Sequence, residues 1–404
     1  MKRILACIFA VSVISTAAFS KNWFSQRFFE VKVGTDIDFS NNLFAMNDFM
    51  KKDLVIDLRK IADDCPQNGF NIRADMEPSL ALNVNILDVH VGVSSGMQLY
   101  ESMEVGKDLF DFLGYGNSIG QTMNFSFKND TDIFTFTQVD VGFKLGKLRI
   151  SAQPAIFMPI LSIRGAGGSL KVLNDEDGNL NVGMNMNMDV YSITEMKKQD
   201  SGNGVTFDAD KIQSTLLSGY GFDIGGGVSF DITKSFTVGA TAHIPLIPGH
   251  LNYKSTIQGG FDYCIPLQDY ENAEKTERET TVTNSKERLS VHRPLKLDIY
   301  ADKNMLGTLF NARAGAGFGI RRPFSEAAVF YPEYYLGFTV NLIDILKVRV
   351  STEYTDQLFK HELGTTLNVR IVQFDIGISS QSSSFKKSMA VAGLGGYAYF
   401  TMGF

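Results

Sequence analysis

The residues whose types and spacing could do chemistry fall into four sets, and each has a competing structural explanation. Gly92-Val93-Ser94-Ser95-Gly96 matches G-x-S-x-G, the pattern that exposes a nucleophilic serine at a strand-to-helix turn. Here it lies within the alternating run Leu87, Val89, Val91, Val93, so Ser94 is expected inside a strand with no elbow to present it. Gly315, Gly317 and Gly319 match half of a dinucleotide fingerprint, but no helix or acidic partner follows. Glycines facing a barrel interior explain them better. The five histidines, His90, His243, His250, His292 and His361, lack metal-ligand spacing. His250 and His292 stand beside external connections, where a rim hydrolase would keep its acid–base group, and where a solvated loop histidine is the plainer reading. No catalytic residue, metal or cofactor is expected.

The fourth set is charged. Glu30, Lys32, Asp36 and Asp38 share one face of an alternating run, as do Arg73, Asp75 and Glu77 in a second and Lys347, Arg349 and Glu353 in a late one. Facing rings of opposite sign would make a porin-like eyelet; the same charges paired with one another would instead fill a closed interior. Cys65 and Cys264 can form a disulfide in an oxidising compartment or stand as two unpaired thiols.

The elements that must position these residues are strands. From Phe70 to Ile86 the even positions (Phe70, Ile72, Ala74, Met76, Pro78, Leu80, Leu82, Val84, Ile86) are mostly apolar, and the odd ones (Asn71, Arg73, Asp75, Glu77, Ser79, Ala81, Asn83, Asn85) mostly polar. That length exceeds the usual globular strand of about 5–6 residues and suits a tilted strand with one face on lipid and the other on a lumen. The alternation recurs at Phe29–Phe39, Leu180–Val190 and Tyr220–Ile232. Short turns are expected at Asn85–Asp88, Leu145–Leu148, Thr233–Ser235, Asp302–Asn304 and Ile343–Asp344. Long polar connections are expected at about residues 40–69, 100–131, 194–218, 261–293 and 321–332. Short and long connections in alternation define an all-β, antiparallel up-and-down transmembrane barrel of 14 to 16 strands with short loop helices. The mixed-charge run Glu271 to Arg288 reads as a solvated mobile loop.

Composition agrees with export. The chain carries 44% hydrophobic residues, 32 Phe and 14 Tyr, too much apolar surface for disorder. Mean hydropathy of −0.02 excludes a bundle of apolar helices, and a net charge of −6 argues against nucleic acid as a partner. Met1 to Ser20 reads as a secretory leader: Lys2 and Arg3, the apolar Ile4–Ile14, then Ala18-Phe19-Ser20 as the cleavage site. Residues 21–404 then form one barrel domain.

Three segments resemble outer-membrane barrels related to the long-chain fatty-acid transporter. They are the hairpin from Gly219-Tyr220-Gly221-Phe222-Asp223-Ile224-Gly225 through Thr233-Lys234-Ser235 to Ala240, the short helix and Gly-Asn stop of Lys107 to Asn117, and the strand start Arg293-Pro294-Leu295-Lys296-Leu297. The resemblance implies a 14-stranded barrel, a hatch segment in its lumen and passage of a hydrophobic small molecule. Asn41 to Asp64, with helical spacing at Leu54, Leu58 and Ile61, is the candidate hatch; it lies between the first two strands and not before them, so a loop helix over the barrel mouth is the alternative. The terminal Phe400, Met402 and Phe404 resemble the signal read by the bacterial barrel assembly machinery. Expected partners are therefore outer-membrane lipid, that machinery and a hydrophobic solute, with a general porin or a surface-interaction barrel as alternatives.

Overall fold

The computed structural model describes residues 27–45, 56–199, 204–208, 219–268, 271, 273–343, 345–369 and 371–404. The leader and the middle of the Asn41–Asp64 segment, including Leu54, lie outside these residues. Along the chain run β1 (Phe29–Asn41), β2 (Phe70–Ile86), β3 (Val89–Val105), β4 (Thr122–Leu145), β5 (Leu148–Asn174), β6 (Asn179–Ser192), β7 (Met196–Lys198), β8 (Val205–Phe207), β9 (Gly221–Thr233) and β10 (Phe236–Ile247). Then come β11 (Gly249–Leu251), β12 (Tyr253–Pro266), β13 (Glu274–Ser285), β14 (Leu289–Val291), β15 (Leu295–Met305), β16 (Phe310–Arg321), β17 (Val329–Ile343), β18 (Leu346–Thr355), β19 (Leu358–Val369), β20 (Val372–Ser382) and β21 (Leu394–Gly403). Among the described residues the helices are α1 (Leu58–Asp64), α2 (Lys107–Tyr115) and α3 (Phe385–Met389).

Fourteen of these strands close into an antiparallel barrel in the order β1 to β5, β9, β10, then β15 to β21. Closure is made by β1, which pairs with β2 on one side and with β21 on the other. Large apolar side chains stay exposed all round the outside, among them Val91, Val228, Leu336 and Ile376, with Ile299 and Ile378 each at 65%. Only hydrocarbon suits such a belt on a wall with no free edge. The fold is a transmembrane β-barrel.

Period two translates into this wall most directly at β2, whose bounds coincide with the Phe70–Ile86 alternation. The turns at Leu87–Asp88, Gly146–Lys147 and Lys234–Ser235 stand where short connections are expected. The next lies a few residues later than Asp302–Asn304, at 306–309, where Gly307 takes φ +73°.

The alternation at Leu180–Val190 has a different meaning. It forms β6, which leaves the barrel and pairs with the far half of β5, while β9 takes the near half. β12 and β13 extend this sheet beyond the wall. The register of β5 shifts at Gly167 against β6 and at Thr131 against β4, where bulges let the strand change neighbours. Met186, Met188, Val190, Ile257 and Val282 are covered by the β7–β8 ribbon through Met196, Val205 and Phe207, so protein, not lipid, meets this apolar face. The Glu271–Arg288 run is mostly β13 and not a free loop, and the polar connection expected at 100–131 shrinks to 106–121 between β3 and β4.

The helices stand outside the wall. Asp57 caps α1 by accepting from Lys60 N at 3.1 Å, and Gly116 ends α2 at φ +74°. Lys107 Nζ donates to Ala62 O at 2.8 Å, and a Cβ at Gly114 would meet Ala62, so the two helices touch. Their shared core of Leu43, Ala62, Cys65 and Phe110 packs on Phe70 and Val105, which continue the outward series of β2 and β3. The described helix therefore flanks the barrel and is neither a lumen hatch nor a cover for the mouth. The disulfide is likewise corrected: both cysteines are free, Cys65 inside this helical core and Cys264 on β12 of the projecting sheet.

Glycines inside the lumen leave room for tyrosines. Tyr399 lies over Gly34, Tyr300 over Gly239, Tyr397 over Gly364 and Gly377, and Tyr331 over Gly319. Gly315 and Gly317 lie instead against the β15 backbone, at Ile299 O and Leu297 O, with the Asp298 carboxylate filling the place of a Gly317 side chain. Replacing Gly377 with leucine should displace Tyr397 and lower the barrel's unfolding temperature by several degrees, at roughly 1–3 kcal/mol for an overpacked site; an unchanged melting curve in detergent would contradict this packing.

Candidate functional site: the braced lumen and its apolar mouth

Alternation sends one charge set of each strand inward, where barrel curvature brings distant strands within reach. Lys360 on β19 is the centre of one group. It bonds Asp38 Oδ2 of β1 at 2.6 Å, lies 3.9 Å from Asp36, and faces Glu353 of β18 in register. Ser379 of β20 donates to Asp38 at 3.1 Å. Arg349 meets Glu362 at 2.7 Å and the Tyr397 hydroxyl at 2.9 Å. Arg73 donates to the Asp356 carbonyl at 2.6 Å, while Arg321, stacked 3.7 Å from the Tyr100 ring centroid, pairs with the Asp356 carboxylate.

Three expected residues stay local near the opposite end. Glu30 accepts from Asn83 at 2.9 Å, Lys32 sits 4.3 Å from the Tyr399 ring centroid, and Lys347 lies two pairs from the start of its strand. Asp75 faces Tyr100 across the β2–β3 ladder, and Glu77 faces Asp36 across β1–β2. Cations and anions interleave along the lumen instead of segregating into opposed arcs, while Glu77 and Asp36 place two carboxyl groups side by side. Lys360–Asp38 and Arg73–Asp356 act as braces between parts of the wall that share no ladder, and Arg349–Glu362 reinforces the neighbours β18 and β19.

The mouth is different in kind. Phe134 and Phe136 of β4 and Phe157 of β5 join Ile193, Leu251 and Val291 in one buried cluster. Phe157 and Leu251 are essentially inaccessible, and each burial of this size contributes roughly 1.5–3 kcal/mol. Leu251 and Val291 belong to β11 and β14, a three-pair ribbon folded in from the β10–β12 and β13–β15 connections. Below it Arg293 bonds Asp223 at 3.0 Å and Gln98 at 3.2 Å, with its guanidinium 4.2 Å from the Phe136 ring centroid. Above it Arg322 reaches Asp130 and Asp132 of β4 at 2.7 Å each.

Sequence reasoning did not single out Lys360, Glu362, Asp356 or Arg322, because a linear pattern does not show which inward charges of different strands meet, whether 13 positions apart as in Arg349–Glu362 or 322 as in Lys360–Asp38. A signal for the mouth was present: Phe134, Phe136 and Phe157 are large, wholly apolar side chains at lumen-facing positions, where Gln138, Asp140, Arg149 and Gln153 of the same two strands are polar.

The chemical motifs resolve as wall. Ser94 is within β3 and donates to Asp140 at 3.1 Å, with no turn to expose it. Among the described residues no group of three or more His, Cys, Asp or Glu is placed to hold a metal. His250 on β11 lies 3.2 Å from Ser290, and His292 packs against Phe324 with centroids 5.2 Å apart. A concavity of about 670 Å³ lined by Val228, Ala240, Ala242, Ile299 and Phe318 opens on the lipid side and is no part of the lumen.

No family model and no curated protein matches the chain. Among solved structures it is similar to the P. putida toluene transporter TodX, at 9% identity over 97% of this chain and 93% of that one, with a TM-score of 0.47. It is also similar to the Ralstonia pickettii toluene transporter TbuX, at 9% identity, 95% and 91% coverage and a TM-score of 0.46. A Pseudomonas aeruginosa FadL homologue is similar at 11% identity, 94% and 90% coverage and a TM-score of 0.39.

Two outcomes follow. Lys360→Met strands Asp36 and Asp38 without their cation and should cost about 3–5 kcal/mol, read as a lower temperature of heat-modified migration, with Asp38→Asn in the same chain recovering part of it; a wild-type curve for the single variant would refute the brace. Burial lowers the His250 and His292 imidazoles below their ordinary value of 6.5, with Arg288 also acting on His250. Unfolded chains then bind more protons than folded ones, so the ribbon loses stability as pH falls through about 6.5 and below. Protease access to the mouth should rise in that window and lose its pH dependence in His250→Gln/His292→Gln.

Proposed function

We propose that this barrel resides in the outer membrane of a diderm bacterium, reached after removal of a leader ending near Ser20, and passes small hydrophobic or amphiphilic solutes. The observation that carries the reading is the apolar cluster at the mouth. Phe134, Phe136 and Phe157, covered by Leu251 and Val291, form an apolar constriction above a lumen whose cations are ion-paired, so a solute must part with water before it can advance. Desolvating a sugar there leaves its hydroxyls unpaired, at about 1–3 kcal/mol for each lost partner, whereas an alkyl or aromatic body gains contact. No catalytic step is assigned to the chain.

The cross-lumen braces weigh against a general diffusion porin. Such a pore needs a water-filled waist, and here Arg321 of β16 stacks on Tyr100 of β3 and Arg73 of β2 reaches Asp356 between β18 and β19, joining well-separated arcs of the wall. In proteoliposomes the barrel should accelerate entry of a fatty acid over a hydrophilic sugar of similar mass. Equal rates, or large steady ohmic conductance in planar bilayers, would reject the reading in favour of a porin.

The terminal strand supports the assembly partner. Phe400 and Met402 lie outward opposite Val33 and Val31, and Phe404 exchanges backbone hydrogen bonds with Phe29 at 3.0 and 3.1 Å. Deleting the Phe404 side chain should lower the fraction of assembled barrel in cells more than it lowers refolding yield in detergent; equal losses would make its role packing alone.

A further inference from the structure

The Arg293 site holds more than a brace needs. Its guanidinium is received wholly by the wall: the carboxylate of Asp223 on β9, fully buried at 0% exposure, the Gln98 carbonyl oxygen on β3, and the face of Phe136 on β4. His243 of β10 places Nε2 3.2 Å from the same carboxylate, and its Nδ1 lies 2.6 Å from Pro294 O. Arg293 itself comes from the mouth connection, between β14 and the first residue of β15, with Pro294 as the hinge. A carboxylate, an amide oxygen and an aromatic face converging on one point make an acceptor set for a planar cation. Phe134 and Phe157, in one cluster with Phe136, supply an apolar surface for whatever such a cation is attached to.

We propose that Arg293 is a tethered pseudo-ligand, and that the wall beneath it is a binding site for hydrophobic cations carrying a planar amidinium- or guanidinium-like head on an aromatic or alkyl body. The incoming head displaces Arg293 from Asp223 and Phe136, which releases the mouth connection. Charge balance favours exchange over simple opening, because withdrawing Arg293 without a replacement leaves the buried Asp223 carboxylate with only the His243 imidazole beside it. The inference deepens the reading of the barrel as a path for amphiphiles by naming the head group it selects, and its binding test does not depend on transport.

The experiment compares benzamidine with benzamide, its neutral counterpart of the same shape, on the full purified barrel in detergent by calorimetry. Arg293→Ala should bind benzamidine at least about tenfold more tightly than benzamide, the margin expected for a paired cation over an aromatic face. The intact chain should bind benzamidine more weakly than this variant does, and Arg293→Ala/Asp223→Asn should lose the preference. If Arg293→Ala does not fold unaided, its refolding yield becomes the readout: recovery with benzamidine and not with benzamide supports the site, and no recovery overturns it. Equal affinity of the two compounds for the variant, or of benzamidine for variant and intact chain, also overturns it. Should selective binding be seen while no amphiphile crosses proteoliposomes, the site stands and the transport reading fails; should amphiphiles cross with no cation preference, the reverse holds.

Discussion

Everything in this molecule depends on the intolerance of hydrocarbon for an unpaired peptide group. A strand buried in lipid must give each N–H and C=O a partner on both sides, so the sheet has to close on itself. The β1–β21 pairing meets that demand, and the long alternating runs follow from it, since each wall strand then has one face on lipid and one on the lumen. Once the outer face is committed to apolar side chains, every polar residue in the wall is driven inward. The crowded lumen is a consequence of the solvent outside.

The inward charges then face a second constraint, which is the cost of an ion without a partner in a narrow interior. Curvature solves it by letting the Lys360 side chain of β19 reach Asp38 of β1 past β20 and β21, and Arg293 at the start of β15 reach Asp223 of β9 past β10. Glycines opposite Tyr300, Tyr397 and Tyr399 solve the accompanying problem of volume by letting rings lie flat on the wall. The mouth departs from both solutions. There the wall turns aromatic, a short ribbon folds onto it, and one arginine is pinned below. Where a wall departs from its own rule is where selection of a solute has a physical basis.

Period two made β2 legible to the residue, because a strand with lipid on one side and a lumen on the other writes both solvents into its side chains. It misled at β6, since alternation reports that one face is covered and does not say whether by acyl chains or by Met196 and Phe207. β13 was unreadable for the opposite reason: Glu274–Ser285 presents almost no apolar face, and its strand character comes from its ladder with β12. Lys360 could not be recognised at all, because its partners are more than three hundred positions away. The Cys65–Cys264 pairing failed on place, one thiol lying in a helical core beside the wall and the other out on the projecting sheet.

The seam between Phe29 and Phe404 has a consequence for time. Its two strands are the first and last of the wall, so the ring is the most sequence-distant contact the fold contains, and it cannot shut until β21 is present. Hairpins such as β2–β3 can zip locally, but until the final strand arrives the sheet keeps two open margins and an oily exterior. The wall becomes edgeless only in the step that lays β21 against β1.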